Sequence, residues 1–432
     1  MKAINVTKQG QLIFILSFFA LILFGFLLLN SRFTEFNGAP VVWSDALFTA
    51  TSAACVTGLT VLPISGFNWF GQLVILFLVE IGGVGVMSLS AFIILLLGRK
   101  FSYSGTLMLS HLNDNFSMRN LEELIKMTSF YTLTIQGAGF LLLLCGFTWN
   151  GNMDIGNALY YSVFHAVTGF CNAGLSLFDE SMVGQSSFIK MTMAALIFAG
   201  GLGIYAIYDI AHYRHGRKLR AHTKLVLITT IVLIGGAMLA IHFGQRFQPI
   251  GWVDSFFMAV SGRTAGFNSV PMEVFNSGTR SVFVVLMMIG SGPGSTGGGI
   301  RVTAVALAAL AILKTIKGNE RLVVFKREIP TSNVMRAFTM ILLYISLTAV
   351  GVMVISFVSL SSSEKTLFET VAALGTVGMS LGFSEEAGLA SRLLIILYMF
   401  IGRVGPFSIF LFLLGREKRS YLRYPEERII VG

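Results

Sequence analysis

The chain has 432 residues, of which 54% are hydrophobic and only 12% are charged, and its formal net charge is +10. Soluble domains carry about 25% charged residues, so this composition excludes an ordinary soluble protein and predicts one that lies in a bilayer. The three cysteines, Cys55, Cys145 and Cys171, have no CxxC spacing, which argues against a zinc site or a disulfide framework.

Long apolar runs predict the membrane spans. We count eight, at about 11–30, 70–97, 124–147, 187–210, 225–243, 281–313, 337–360 and 391–414. An even number of spans puts both termini on one side, and most Lys and Arg residues fall on that side. The positive-inside rule then predicts a multi-pass cell-membrane protein with both termini in the cytoplasm. This distribution explains the basic excess by topology and by contact with membrane lipid headgroups, and it argues against nucleic acid as a partner.

Four short stretches repeat along the chain, each a Gly followed by a large apolar residue and a small polar residue. The glycines are Gly58, Gly174, Gly266 and Gly378, and the polar residues two positions later are Thr60, Ser176, Asn268 and Ser380. Each Gly follows a Phe by ten residues, and a second glycine cluster follows about two dozen residues later. This pattern predicts four internal repeats. We assign repeat 1 to 1–100, repeat 2 to 101–215, repeat 3 to 216–320, and repeat 4, with a cytoplasmic tail, to 321–432.

Each repeat is interpreted as a span, a re-entrant half-helix and a second span. The half-helices are predicted at about 44–57, 157–173, 252–265 and 365–377, with starts at Ser44 and Asp45, Asn157, Asp254 and Glu364. They are too short to cross, and the non-helical backbone that follows is tolerated only where it is buried or lines a cavity. The predicted fold is therefore all-α: eight transmembrane helices and four re-entrant half-helices around a pseudo-fourfold pore.

The glycine stretches suit a cation site. A dehydrated monovalent cation needs a cage of oxygen atoms, which rings of backbone carbonyls supply, and Gly permits the unusual backbone angles involved. The C-terminal ends of the half-helices favour a cation as well. The predicted ligands, mainly through backbone carbonyls, are Val56, Thr57, Gly58, Asn172, Ala173, Gly174, Thr264, Ala265, Gly266, Thr376, Val377 and Gly378.

Acidic residues on the outer side predict a negative vestibule that concentrates cations, with scattered surface charge as the alternative. They are Glu35, Asp45, Asp154, Asp179, Glu180, Asp254, Glu273, Glu364, Glu369, Glu385 and Glu386.

The second glycine cluster of repeat 3 differs from the others and predicts a flexible gate. Pro and Gly must break the span there, whereas the clusters at 81–85, 199–203 and 401–405 predict close helix packing. The spacing of Gly292, Gly294 and Gly297 matches a dinucleotide motif but lacks a βαβ context, so no organic cofactor is expected. The gate residues are Gly290, Ser291, Gly292, Pro293, Gly294, Ser295, Thr296, Gly297, Gly298 and Gly299.

Arg403 occupies, in repeat 4, the register of a small residue in the other repeats. A cation within a span is costly and usually functional. We expect Arg403 to donate to carbonyls of the 290–299 segment and to repel ions. The alternative is a snorkelling Arg, or one that is paired with Glu80.

Together these features resemble the membrane subunit of the Ktr potassium transporters, in the Trk/Ktr/HKT superfamily, over essentially the whole chain. The resemblance implies potassium uptake through four non-identical pore loops, with a gating loop in repeat 3 that faces an Arg. It also implies a homodimer on a cytoplasmic ring of nucleotide-binding regulatory subunits, often with dependence on sodium. Plant relatives with Ser in the first loop can favour sodium, and this chain has Gly58 there.

Two other classes of protein fit less well. A proton- or sodium-coupled secondary transporter of another solute would place its substrate at broken helices and use intramembrane carboxylates, of which Glu80 is the only one deep in a predicted span. An intramembrane enzyme would need converging His, Asp, Glu or Cys, and the spans carry almost none. We therefore expect no enzymatic activity.

Overall fold

The structure is a computed structural model that describes residues 2–85, 121–149, 153–213, 219–245, 249–318, 321–359, 361–406 and 409. These residues form fifteen α-helices, which we number α1 to α15, and two short β-hairpins. The helical architecture agrees with the predicted fold class.

Among the described residues, four unbroken helices are long and apolar enough to cross a membrane, and each is the first helix of one of the predicted repeats. They are α1 (Lys2–Leu29), α4 (Leu121–Trp149), α8 (Ala221–Gly244) and α12 (Thr331–Val358). Their outward faces leave large apolar side chains such as Phe19, Ile231 and Phe357 exposed. A surface of this kind is stable against lipid, and in water it would be an aggregation liability.

A shorter helix follows each long one, and its position agrees with the predicted half-helix to within two residues at either end. The four are α2 (Trp43–Cys55), α5 (Ile155–Cys171), α9 (Trp252–Thr264) and α13 (Ser363–Gly375). The predicted start residues of all four helices lie one or two residues after the observed first residues. The carboxylate of Asp154 caps α5 by accepting from the Gly156 amide, and the hydroxyl of Ser362 caps α13 by accepting from the Lys365 amide.

Within the described residues, the second helix of each repeat ends inside the predicted span, and in repeats 2 and 3 a further helix follows it. They are α3 (Trp69–Val84), α6 (Ser187–Gly201) with α7 (Ile204–Tyr213), α10 (Ser277–Met288) with α11 (Val302–Ile316), and α15 (Leu389–Val404), which follows the short α14 (Phe383–Glu386). Helices α3 and α15 end at Gly85 and Gly405, both at φ +89°. Residues 86–97 and most of 406–414, which were assigned to these spans, lie outside the described residues.

The segment between α6 and α7 corrects the sequence interpretation. We expected a break only at 290–299, but α6 and α7 also meet at an angle of 99°. The bend receives the glycine-rich loop of repeat 3, since the Ile204 amide donates to the Gly294 carbonyl at 3.2 Å. Gly203, at φ +86°, packs against the Pro293 carbonyl so closely that no Cβ would fit.

The core surrounds the four shorter helices. Of the repeated phenylalanines, Phe48, Phe164 and Phe368 are fully buried. In repeat 3 the repeated Phe256 is only partly buried, and the neighbouring Phe257 takes the interior position. Aromatic packing therefore fixes the middle of each shorter helix, and the C-terminal end of the helix leads directly into the glycine loop.

Two β-hairpins connect helices at opposite ends of the bundle. One pairs β1 (Glu35–Phe36) with β2 (Ala39–Pro40), and the other pairs β3 (Val323–Val324) with β4 (Arg327–Glu328). The first turns at Asn37 and Gly38, both with positive φ, as a two-residue hairpin turn requires.

Candidate functional site

The four predicted glycine loops meet in a closed ring. Each glycine packs against the backbone carbonyl oxygen of the residue that precedes the glycine of the next loop. The pairs are Gly58 with Ala173, Gly174 with Ala265, Gly266 with Val377, and Gly378 with Thr57. A Cβ added at Gly58 or Gly174 would lie 2.5 Å from that oxygen, and at the other two glycines it would lie closer still. Only glycine allows this approach, so we call the arrangement the glycine ring.

The backbone at the ring also requires glycine. The four glycines have φ of +90°, +68°, +81° and +89° in chain order, in the region that side chains rarely adopt. Helices α2, α5 and α13 end in a left-handed residue, which turns the chain out of the helix; these residues are Val56, Asn172 and Thr376. Repeat 3 differs, because Thr264 remains helical and the cap falls on Ala265 at φ −120°.

Eleven of the twelve predicted ligand residues lie in these loops, and the other, Thr264, is the last residue of α9. The eight that are not glycines are buried, each with 1% or less of its surface exposed. Three of the loop hydroxyls, those of Thr57, Thr264 and Thr376, are buried and have no hydrogen-bond partner within the described protein. Buried polar atoms normally have partners, so these three hydroxyls are candidates to contact an ion or water.

A cavity of about 440 Å³ lies directly on the glycine ring, and we call it the vestibule. All four glycines contribute to its wall, as do the four polar residues that follow them by two positions. Its acidic lining residues are Asp179, Glu180, Glu273 and Glu385, and among the described residues that line it none is basic. The vestibule therefore favours cations, as a cleft lined by one sign of charge does.

The negative charge of this side is more local than the sequence indicated. Several of the predicted surface acids form ion pairs with Lys or Arg side chains, which are described below, and Asp154 caps a helix. Glu369 is not on the surface at all, because its side chain is completely buried behind the fourth loop. The negative field is therefore concentrated at the vestibule.

A second ring of contacts surrounds the first on the vestibule side. In each repeat a residue near the start of the second helix bonds to the first turns of the short helix of the next repeat. The pairs are Gln72 with Tyr160 at 2.8 Å, Lys190 with Asp254 at 2.6 Å, Arg280 with Glu364 at 3.5 Å, and Arg392 with Asp45 at 2.7 Å. We call these four pairs the girdle. It follows the same order around the centre as the glycine ring and ties each repeat to the next.

The glycine-rich loop, residues 290–299, lies on the opposite side of the glycine ring from the vestibule. A Cβ at Gly298 would collide with the Thr376 hydroxyl, and one at Gly297 would lie 3.3 Å from the Cβ of Thr264. The Thr296 hydroxyl donates to the Phe170 carbonyl at 3.2 Å, near the end of α5. The loop therefore packs directly against the inner ends of the glycine loops, and we call this side the loop side.

Arg403 lies against the glycine-rich loop. Its guanidinium donates to the Thr296 carbonyl, and to the Gly82 and Gly83 carbonyls on α3. The alternative pairing with Glu80 is wrong. The Glu80 carboxylate instead accepts from the amide of Gln136 at 2.8 Å and from the thiol of Cys171 at 3.4 Å.

Two further arginines belong to the loop side, and the sequence assigned neither a role. Arg301 donates to the Gly297 carbonyl at 2.8 Å and to the Gly292 carbonyl at 3.4 Å, so it clamps the glycine-rich loop from within. Arg263, three residues before Gly266, is buried and donates to the Thr230 hydroxyl at 3.1 Å. Among the described residues, none of the arginines 263, 301 and 403 has a carboxylate partner. Their position next to the glycine segments is a signal that sequence reasoning could have used.

The second glycine clusters let the second helices pack closely against the short helices. Glycines in repeats 1, 2 and 4 pack against the carbonyl that lies four residues before the ring glycine. The pairs are Gly82 with Ala54, Gly200 with Phe170, and Gly402 with Leu374. In repeat 3 the corresponding Gly290 packs against the Gly298 carbonyl of the glycine-rich loop. The same close approach therefore serves helix packing in three repeats and loop packing in the other.

The sequence profile of the TrkH family, described as "Cation transport protein", matches residues 22–420. The crystal structure of the potassium transporter TrkH from Vibrio parahaemolyticus superposes with a TM-score of 0.73 over 94% of this chain and 85% of that one. Their sequence identity is 18%, so this likeness shows the fold.

Two curated relatives are similar along nearly their whole length. The Ktr system potassium uptake protein B of Vibrio alginolyticus is 32% identical, over 97% of this chain and 94% of its own. The potassium/sodium uptake protein NtpJ of Enterococcus hirae is 34% identical, over 96% and 95%. The resemblance drawn from the motifs is confirmed: the chain belongs to the TrkH family of cation transport proteins.

Proposed function

We propose that this protein takes up potassium across the cell membrane through the glycine ring, which acts as a selectivity filter. The observation that carries the proposal is the closed ring itself, in which each glycine meets the carbonyl before the next one. Four extended segments that converge in this way bring four sets of backbone oxygens around one axis, as a dehydrated cation requires. The relatives named for potassium uptake support the choice of ion.

The path of an ion follows from the charges along that axis. The acidic vestibule concentrates cations, and the buried loop hydroxyls that lack partners add oxygen atoms beside the carbonyls. The glycine-rich loop then closes the path on the loop side, held by Arg301 and Arg403. Arg403 also adds a positive charge that opposes ion passage while the loop is in place. The loop must therefore move for an ion to pass.

The membrane architecture we propose has eight spans and four re-entrant helices around this axis, in four repeats at 1–100, 101–215, 216–320 and 321–432. The long helices are four of the spans. The second helices are the others, two of them broken, and together they surround the short helices. The bias of Lys and Arg toward the side that carries the termini places this side in the cytoplasm.

The partners we propose are a second copy of the chain, membrane lipid, and a cytoplasmic ring of nucleotide-binding subunits. The docking segments are 98–123, 211–224, 314–336 and the tail 416–432, of which 98–120, 214–218, 319–320 and the tail lie outside the described residues. Within 314–336, the β3–β4 hairpin exposes Val323 and Phe325. Neutralising the basic residues in 214–220 or deleting the tail should weaken co-purification of the ring. Full retention of the ring by both variants would refute this assignment.

Uptake of labelled rubidium into vesicles that contain the purified protein tests the proposal. We expect potassium to inhibit this uptake strongly. A low concentration of sodium should increase the uptake as a co-ion, and only a much higher concentration of sodium should inhibit it. A coupled secondary transporter of another solute would show no rubidium uptake, and this result would refute the proposal. Uptake that is independent of sodium would refute only the sodium dependence.

A further inference from the structure

The polar residue two positions after each ring glycine has no role in the function proposed so far. In repeats 2 and 4 this residue is a serine, Ser176 or Ser380. Each serine bonds to the residue that lies nine positions before the same glycine, His165 in repeat 2 and Glu369 in repeat 4. Both partners are completely buried in the short helices. The same register thus makes the same bond in two of the loops.

In repeat 2 the hydrogen bonds form a chain with defined directions. The Nδ1 of His165 lies 2.8 Å from the Tyr161 carbonyl, which can only accept, so Nδ1 carries the proton. In a neutral ring the Nε2 is then the acceptor, and the Ser176 hydroxyl donates to it at 3.0 Å. The Ser176 oxygen accepts in turn from the Phe178 amide at 3.0 Å. Every polar atom in the chain has a partner.

In repeat 4 the carboxylate of Glu369 replaces the histidine ring as the acceptor of the hydrogen bond from the serine. The Ser380 hydroxyl donates to one oxygen of Glu369 at 2.8 Å, and its own oxygen accepts from the Gly382 amide at 2.9 Å. The other carboxylate oxygen accepts from the amide and the hydroxyl of Ser384. The serine thus bonds forward to the amide two residues on and back to the short helix, as it does in repeat 2.

Repeats 1 and 3 lack this bond within the described residues. In repeat 1 the residue nine before the glycine is Thr49, whose buried hydroxyl has no partner. In repeat 3 that residue is Phe257, and the amide oxygen of Asn268, two after the glycine, has no partner. These loops are held by shorter links instead, such as the bond from the Gly58 amide to the Ser52 hydroxyl at 3.1 Å.

We propose that His165 and Glu369 are positioning residues that brace loops 2 and 4 and thereby set the discrimination of potassium from sodium. This inference rests on the proposed function. The order of contacts around the glycine ring places loops 2 and 4 opposite each other. Each brace fixes the residue two positions after the glycine, and so limits the rotation of the preceding ligand carbonyls toward a smaller ion. Two opposed rigid loops are enough to hold the ring open at one diameter.

The chain supplies its own replacements for the test. His165→Phe installs the residue that repeat 3 carries at this register, and Glu369→Thr installs that of repeat 1. Ser176→Ala and Ser380→Ala remove the other half of each brace with little change in volume. Thr49→Val is the matched control, because it removes a hydroxyl that has no partner at the same register.

The readout is the ratio of sodium to potassium concentrations that half-inhibit rubidium uptake into vesicles. We expect each brace variant to lower this ratio about 5- to 30-fold, as loss of roughly 1–2 kcal/mol of discrimination implies, and Thr49→Val to change it less than twofold. The combination His165→Phe with Ser176→Ala should lower the ratio no further than either change alone, since both remove one bond.

A purely structural role would lower the maximal uptake and leave the ratio unchanged. An unchanged ratio in folded Ser176→Ala and Ser380→Ala, which disturb packing least, would overturn the inference even if the larger substitutions do not fold. Absence of rubidium uptake by the parent protein would instead refute the proposed function. The two failures are therefore distinguishable.

Discussion

The two sides of the glycine ring are organised differently. On the vestibule side every repeat makes an equivalent contribution: one glycine, one girdle bond and one polar residue at the mouth. On the loop side the repeats have different tasks. Repeat 3 supplies the glycine-rich loop, repeat 2 bends to receive it, and repeat 4 holds it with Arg403. A cage around an ion requires symmetry, whereas a gate requires only one moving segment.

Charge follows the same division. On the vestibule side Lys190, Arg280 and Arg392 are neutralised by carboxylates in the girdle, so the acids of the vestibule remain to attract cations. On the loop side Arg263, which is buried, and Arg301 and Arg403, which are partly buried, donate to carbonyls and a hydroxyl, and no described carboxylate pairs with them. The charged side chains next to the glycine ring are therefore acidic in the vestibule, whereas these three arginines lie on the loop side.

The largest expected effect is on the symmetric side. Gly58→Ser and Gly266→Ser each place a Cβ on a carbonyl oxygen at positive φ, so the ring must open and discrimination must weaken. Strain of roughly 2–3 kcal/mol corresponds to a roughly 30- to 150-fold loss in potassium affinity relative to sodium. Gly38→Ser is the control, because it has the same strained φ in open space. Unchanged affinities for both ions in the folded ring variants would remove these glycines from the filter.

The next effect is on the asymmetric side. Deleting residues 294–298 removes the part of the loop that packs against Thr264 and Thr376, so potassium flux into vesicles should rise by about an order of magnitude. If the loop is instead an element that binds ions, the deletion abolishes transport. A folded deletion variant that retains the oligomeric state of the parent but carries less flux would refute the role of the loop as a gate.

Single arginines should have smaller effects in the same direction. Arg403→Ala removes the bond to Thr296, and Arg301→Ala removes the bonds to Gly292 and Gly297. Each should raise flux roughly 2- to 5-fold, because the loop loses the charge-assisted bonds of one arginine and retains those of the other. Arg321→Ala, in a mostly exposed surface pair, serves as the control. If both variants reduced flux with intact folding, the arginines would have to promote ion passage.

The smallest effect on transport is expected from the girdle, whose loss should appear as lower stability. Lys190→Met leaves Asp254 without its partner in a largely buried setting and should destabilise the protein by about 2 kcal/mol. Swapping the charges, Lys190→Asp with Asp254→Lys, should restore part of the loss in the thermal midpoint. Removing Glu328 from its pair with Arg321 should change the midpoint little, since both side chains are mostly exposed. Equal shifts in the thermal midpoint for the Lys190–Asp254 pair and the Arg321–Glu328 pair would contradict a stabilising role for the girdle.

Local repetition made the symmetric part of the site predictable. A glycine that recurs with a Phe ten residues before it locates each loop, since the same backbone geometry recurs in each repeat. The short helices were placed correctly for this reason. The serine of each brace recurs at the same position of the repeat. Its partner does not recur, because it is His165 in repeat 2 and Glu369 in repeat 4, so the sequence pattern shows only the serine.

The asymmetric part depends on contacts between distant segments that no local pattern encodes. The bend at Gly203 lies where the loop of repeat 3 inserts, and nothing in AGGLG predicts this contact with a segment about 90 residues away. The pairing of Arg392 with Asp45 joins residues 347 positions apart. The sequence suggested Glu80 as a partner for Arg403 because it is the only acidic residue deep in a predicted span. In the structure, the Glu80 carboxylate instead accepts hydrogen bonds from Gln136 and Cys171.

The position of the bound ion tests the central claim most directly. Crystals of the protein soaked in thallium or rubidium should show anomalous density on the axis of the glycine ring, within coordination distance of the carbonyls of Thr57, Ala173, Ala265 and Val377. Excess potassium should displace that density, and the same concentration of sodium should not. Density that appears only elsewhere, such as beside Glu80, with none in the ring, would contradict the account.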